Sequence, residues 1–203
     1  LICEFINDMN WKSVSIFHPH NISFVKAMIN NITIINNVTF IESALNIINN
    51  KNLVFISPDA GAYKWINKLR DALNWKGKVI NASKSREWKD DESIITQELS
   101  ETDLKGQDCI IIDDLMQYGG TFKGLAKLLR ERNCGKLYLA VSHMTVQNLG
   151  EDPVTNYFDK VFTTNSKFNY YEYYSMDGGK YLCDVYGDKL TLTAKNLEII
   201  KMF

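Results

Sequence analysis

Short apolar runs alternate with amphipathic stretches along almost the whole of this 203-residue chain, and that alternation limits the fold more than any other feature. Runs at 14–17, 53–56, 78–80, 109–112, 137–141 and 161–163 have the length of strands. Between them, Ala62, Trp65, Ile66, Leu69 and Leu73 repeat at helical spacing, as do Leu125, Leu128 and Leu129. A continuously apolar strand belongs inside a sheet covered on both faces, and strands separated by helices pair in parallel. The expected fold is therefore α/β, a mostly parallel sheet flanked by helices. Ser57 followed by Pro58 reads as a helix N-cap with proline in the first turn. Residues 83–105 depart from the rhythm: they are rich in charge and lack a sustained apolar period. They read as a long exposed loop with at most a short edge hairpin, and loops of that length are often functional lids.

Charge and cysteine usage exclude several classes. With 23 basic and 24 acidic residues the net charge is -1, so no broad basic surface for nucleic acid is expected. Cys3, Cys109, Cys134 and Cys183 are scattered without a CxxC pair, which reads as reduced thiols of a cytoplasmic protein. No apolar stretch approaches a membrane span and no signal peptide is visible, so no membrane association is expected.

Residues 109–121 carry the chemistry. A buried strand delivers Asp113 and Asp114 to its carboxyl end, a turn supplies Gly119 and Gly120, and Thr121 opens the next helix. Glycines let backbone N–H groups close on an anion, and a helix N-terminus adds positive potential. Two carboxylates cannot favour a phosphate, but they accept hydrogen bonds from vicinal hydroxyls. Carboxylates on one side and an anion nest on the other suit a sugar phosphate.

This segment resembles the PRPP-binding loop of type I phosphoribosyltransferases and of the related ribose-phosphate pyrophosphokinases. Other elements resemble the pyrophosphokinases in particular. Ser57-Pro58-Asp59-Ala60-Gly61 is similar to their SPDAG motif, and Lys84-Ser85-Arg86 to their catalytic Lys-x-Arg pair at the base of a flexible loop. His18-Pro19-His20 is similar to their Asp-x-His element, and Thr164-Asn165-Ser166 to a late turn. The resemblance implies an α/β phosphoribosyltransferase-type fold and pyrophosphoryl transfer from ATP to the anomeric hydroxyl of ribose 5-phosphate, releasing AMP. It implies that Asp113 and Asp114 hold ribose hydroxyls, and that Gln117, Tyr118, Gly119, Gly120 and Thr121 line the 5-phosphate. Lys84 and Arg86 would stabilise the transferring group and bind ATP. His20 would help place Mg-ATP, and with Asp59 would lie near a magnesium ion. Alternate positions of an extended segment face one side, so Lys84 and Arg86 can serve one polyphosphate. A homo-oligomer is implied by the family alone. In its terms, 1–40 would end an upstream phosphoribosyltransferase-like domain, and 41–190 would be the catalytic domain. Residues 191–203 would hold a C-terminal helix, over 196–202, packing back toward upstream residues that the chain does not include.

Three departures qualify the picture. Gln117-Tyr118 stands where the family has Asp-Thr, His18 replaces an aspartate, and the usual adenine-binding residues belong to the upstream half. A bulky tyrosine beside the phosphate favours a 5-phosphate that continues as a diester and rests on an aromatic face. ADP-ribose is such an acceptor, which would place the chain in NAD metabolism. The aromatic run Phe168, Tyr170, Tyr171, Tyr173 and Tyr174 is a second stacking face or, more simply, a packed edge strand or hairpin. His18 and His20 are expected on one face of a strand end, with His143 as a structural hydrogen-bonder. A PRPP-consuming phosphoribosyltransferase and a catalytically silent regulatory subunit stay open as other readings.

Overall fold

In a computed structural model, the chain is described over residues 1–89, 92–145, 152–166, 170–174, 180–184, 189–190 and 196–202; for 84–89, 92–96, 170–174, 180–184 and 189–190 only the backbone is described. In order, the elements are α1 (Ile2–Asp8), β1 (Val14–Phe17), α2 (Ile22–Met28), β2 (Ile32–Ile35), α3 (Val38–Ile48), β3 (Val54–Ser57) and α4 (Ala60–Ala72). They continue as β4 (Val79–Lys89), β5 (Glu92–Leu99), β6 (Cys109–Met116), α5 (Gly120–Glu131), β7 (Leu137–Met144) and β8 (Lys160–Thr164). The last are β9 (Tyr170–Tyr174), β10 (Lys180–Asp184), β11 (Lys189–Leu190) and β12 (Leu197–Ile200).

Seven strands form the main sheet in the order β12-β8-β7-β6-β3-β4-β5. Every neighbouring pair in it is parallel except the hairpin β4-β5. Its centre is the run Cys109–Ile110–Ile111–Ile112, with all four side chains fully buried. Strand alternation sends them to opposite faces. Ile110 and Ile112 pack with Phe40, Phe55 and Ile66 under α3 and α4, whereas Cys109 and Ile111 pack with Leu125 and Leu129 under α5. Both faces are covered, as the apolar runs require. The α/β expectation thus holds.

A small parallel sheet, β1 with β2, lies beside the main one, and β9 to β11 form a separate antiparallel sheet. The tyrosine run is the strand β9 paired with β10; its side chains and Phe168 lie outside the described residues.

Three local expectations are corrected. The C-terminal segment expected as a helix over 196–202 is the strand β12, paired in parallel with β8 from Leu197↔Val161 to Ile200↔Thr164. Beside the open edge of a sheet, backbone pairing prevails over weak helical spacing. The stretch expected as a loop is mostly a long hairpin, with Ala82↔Leu99 through Lys89↔Glu92 paired. Its charge hid the strand pairing, because backbone hydrogen bonds between two strands leave no mark in the apolar pattern. The cap of α4 is Asp59, whose Oδ1 accepts from the Ala62 N–H at 2.9 Å, while Ser57 ends β3 and donates to the Asp59 carbonyl.

Candidate functional site

Parallel strands end on one side of a sheet, and the residues following their carboxyl ends share one crevice. His18 to His20 follow β1, Asp59 follows β3, Asp113 and Asp114 lie in the last half of β6, His143 lies near the end of β7, and Ser166 follows β8. Topology brings together the motifs of the main sheet. The contacts of His18 with Ser142 and of His20 with Asp114 join the end of β1, from the small sheet, to them.

The acids are the most constrained members. Asp113 is half-buried, and its Oδ1 accepts from the Asp114 N–H at 2.9 Å. Burial is the main force on its carboxyl and pushes it up to about 8; the Asp114 N–H opposes this, and the charges of Asp114 and Asp59 reinforce it. Asp114 meets His20, with Nδ1 of the imidazole 2.5 Å from Oδ2. That hydrogen bond and the Asp114 charge raise the His20 pKa above its ordinary value, helped by Asp113 and Asp59. Three carboxyl groups and one imidazole thus form a single electrostatic unit.

The loop beside them is shaped by one glycine. Gly119 caps α5 with φ of 80°, and a Cβ there would lie 3.0 Å from Cβ of Val154, so both backbone and space demand glycine. The helix begins at Gly120, one residue before the expected start at Thr121. A Cβ on Gly120 would meet nothing within 4 Å, which leaves room for a ligand oxygen against its N–H. Gln117 and Tyr118 are exposed at the loop tip, Tyr118 by 85%.

The two histidines after β1 diverge, contrary to the expectation that they share a face. His18 has φ of 37°, in the left-handed region, which breaks the strand alternation. Its ring turns inward, is 8% exposed, and lies 2.8 Å from the Ser142 Oγ and edge-on to Trp65. Desolvation dominates there and lowers its pKa to about 4, so the ring is neutral and brings no charge. His20 points out to the acids instead. His143 hydrogen-bonds through Nδ1 with Ser166 Oγ (2.7 Å) and through Nε2 with the His18 carbonyl (3.1 Å), a structural role as expected. Ser142 was not singled out by sequence, since a lone serine inside an apolar strand carries no signal.

Lys84 and Arg86 occupy alternate positions of β4, opposite Gln97 and Ile95 of β5. Their side chains lie outside the described residues. Among the described residues, no group of three or more His, Cys, Asp or Glu is arranged to hold a metal ion. Magnesium, however, is commonly held by one or two carboxylates and completed by substrate phosphates. Asp59 and the Asp113–Asp114 pair are oxygen donors of that kind.

Carboxylates beside a glycine-capped helix N-terminus, at the strand ends of a parallel sheet, define an α/β protein with a site suited to a phosphorylated polyol. The chain belongs to the family whose model is described as the phosphoribosyl transferase domain, which matches residues 28–175. It is similar to the ribose-phosphate pyrophosphokinase of Chlorobaculum tepidum, 24% identical over 154 residues, covering 75% of this chain and 46% of that one. It is also similar to the enzyme of the same name from Corynebacterium efficiens, 31% identical over 96 residues, covering 45% of this chain and 28% of that one. The matches therefore span less than half the length of these relatives. The fold is similar to that of phosphoribosylpyrophosphate synthetase from Mycobacterium smegmatis, with a TM-score of 0.66 at 16% identity, covering 98% of this chain and 58% of that one.

Proposed function

We propose that this chain forms the ribose-phosphate side of a pyrophosphokinase-type site, transferring the β,γ-pyrophosphoryl group of ATP to the anomeric hydroxyl of a ribose 5-phosphate moiety. The observation that carries the reading is the convergence of His20, Asp59, Asp113 and Asp114 beside the loop of Gly119, Gly120 and Thr121. In this reading Asp113 and Asp114 accept the ribose hydroxyls, and the backbone of 119–121 with the α5 N-terminus holds the 5-phosphate. The anomeric hydroxyl releases its proton to solvent as its oxygen attacks the β-phosphorus. The bond from that phosphorus to the α–β bridging oxygen breaks, and AMP leaves with the bridging oxygen. Lys84 and Arg86 neutralise charge on the moving group. His20 would help place Mg-ATP. Asp59 would help hold the magnesium ion, which would supply charge neutralisation on the ATP oxygens. Adenine recognition and homo-oligomer assembly belong to the same proposal and draw on the relatives' longer chains.

One observation favours a second acceptor. Tyr118 is 85% exposed and Leu115 42% exposed, so an apolar aromatic surface borders the phosphate loop. A nucleotide esterified to the 5-phosphate has a place to rest there, and ADP-ribose is such an acceptor.

AMP release from Mg-ATP by the full-length protein, with ribose 5-phosphate and ADP-ribose run side by side, tests both readings. AMP with ribose 5-phosphate supports the first; AMP only with ADP-ribose supports the second. Silence with both sinks the kinase reading in favour of a PRPP-consuming transferase or a regulatory subunit.

A further inference from the structure

Strand β4 leaves the main sheet early. It pairs with β3 only from Phe55↔Val79 to Ser57↔Asn81, and beyond Asn81 its partner is β5 alone. Lys84 and Arg86 therefore stand on a two-stranded ribbon, and an isolated ribbon is too weak to hold a geometry. Its position relative to the rest of the fold must be fixed by contacts outside the pairing.

Gln97 provides that connection. It is directly opposite Lys84 in the antiparallel register. Its Nε2 donates to the backbone carbonyl of Thr121, at 3.1 Å, in the first turn of α5. Its Oε1 would lie 2.5 Å from a Cβ built on Gly124. Gly124 is inside the helix, where glycine costs roughly 1 kcal/mol relative to alanine. It has no positive φ to explain it. The approach of the Gln97 amide does explain it, since a side chain there would displace that amide from its bond to Thr121.

We infer that Gln97 is a positioning residue that ties the Lys84/Arg86 ribbon to the first turn of α5, so that the cation-bearing strand and the phosphate loop hold one geometry. This rests on the roles proposed above for Lys84 and Arg86. A phosphate seated at the α5 N-terminus firms the turn that Gln97 grips, and so settles the ribbon over the acceptor.

The test uses the full-length protein with Gln97→Ala, Gln97→Glu (similar size, no donor), Gly124→Ala and the double variant Q97A/G124A. The first readout needs no activity: the rate of tryptic cleavage after Lys84, Arg86 and Lys89, followed by mass spectrometry, with and without ribose 5-phosphate. Q97A, Q97E and G124A should be cut about tenfold faster than the parent at unchanged far-UV circular dichroism, and lose protection by ligand; a tenfold change corresponds to about 1.4 kcal/mol. G124A should add little in the Q97A background, because both changes remove one contact. In turnover, kcat should fall about tenfold with the acceptor KM within roughly threefold, the pattern of a lost transition-state contact. Equal cleavage rates in parent and variants would overturn the inference. Altered cleavage in a protein silent with every acceptor would keep the Gln97 contact and reject the kinase reading instead.

Discussion

Asp113 is where burial and neighbouring charge act together most directly. Its carboxyl is raised from 3.8 to about 8, so the folded chain keeps a proton that the unfolded chain has already released. Stability must then fall as pH rises from about 4 toward 8, and level off above, where both states are ionised. Asp113→Asn removes that dependence. In thermal melts between pH 6 and 9, the parent should lose several degrees relative to the variant, where about 1 kcal/mol corresponds to 2–4 °C for a chain of this size. Parallel curves would show that Asp113 titrates normally. His20 gives the complementary reading. Its raised pKa is owed first to Asp114, so Asp114→Asn should move its imidazole titration, followed by NMR, toward lower pH. An unshifted titration would deny the pair. Both residues were legible in the sequence as types at motif positions. The divergence of His18 from His20 was not, because a positive φ on a histidine has no sequence mark.

At the scale of elements, the turn from β6 into α5 separates two adjacent glycines by their physics. Gly119 has φ of 80° and Val154 against it, whereas Gly120 faces open space. Gly119→Ala should cost about 1–3 kcal/mol through strain and contact. Gly120→Ala, without a positive φ, should stay within about 1 kcal/mol. Urea unfolding of the two variants checks this, and equal losses would contradict the geometry. The strand candidates of the main sheet up to β8 were legible apart from β5, because strands buried on both faces are written as apolar runs. Strands β5 and β12 were not. The charged sequence of β5 shows no sustained apolar period, and an edge strand is decided by the neighbour it meets.

For the whole molecule, the small β1-β2 sheet and the main sheet meet at a polar seam of His18, Ser142, His143 and Ser166. Ser142→Ala leaves the buried His18 ring without that partner, at a cost of about 1–3 kcal/mol. Hydrogen exchange should then quicken in 14–17 and 32–35 more than in the β6 core. Uniform quickening, or none, would show that the seam does not hold the two sheets together. The sequence by itself determined the layered α/β class and the residue types of the site, since apolar period and motif chemistry are local properties of the chain. Only the tertiary structure decided which of those residues meet. His20 reaches Asp114, and Gln97 reaches α5, across separations of 94 and 24 residues. Such contacts are set by the order in which strands join a sheet, and the pattern within any one strand does not encode that order.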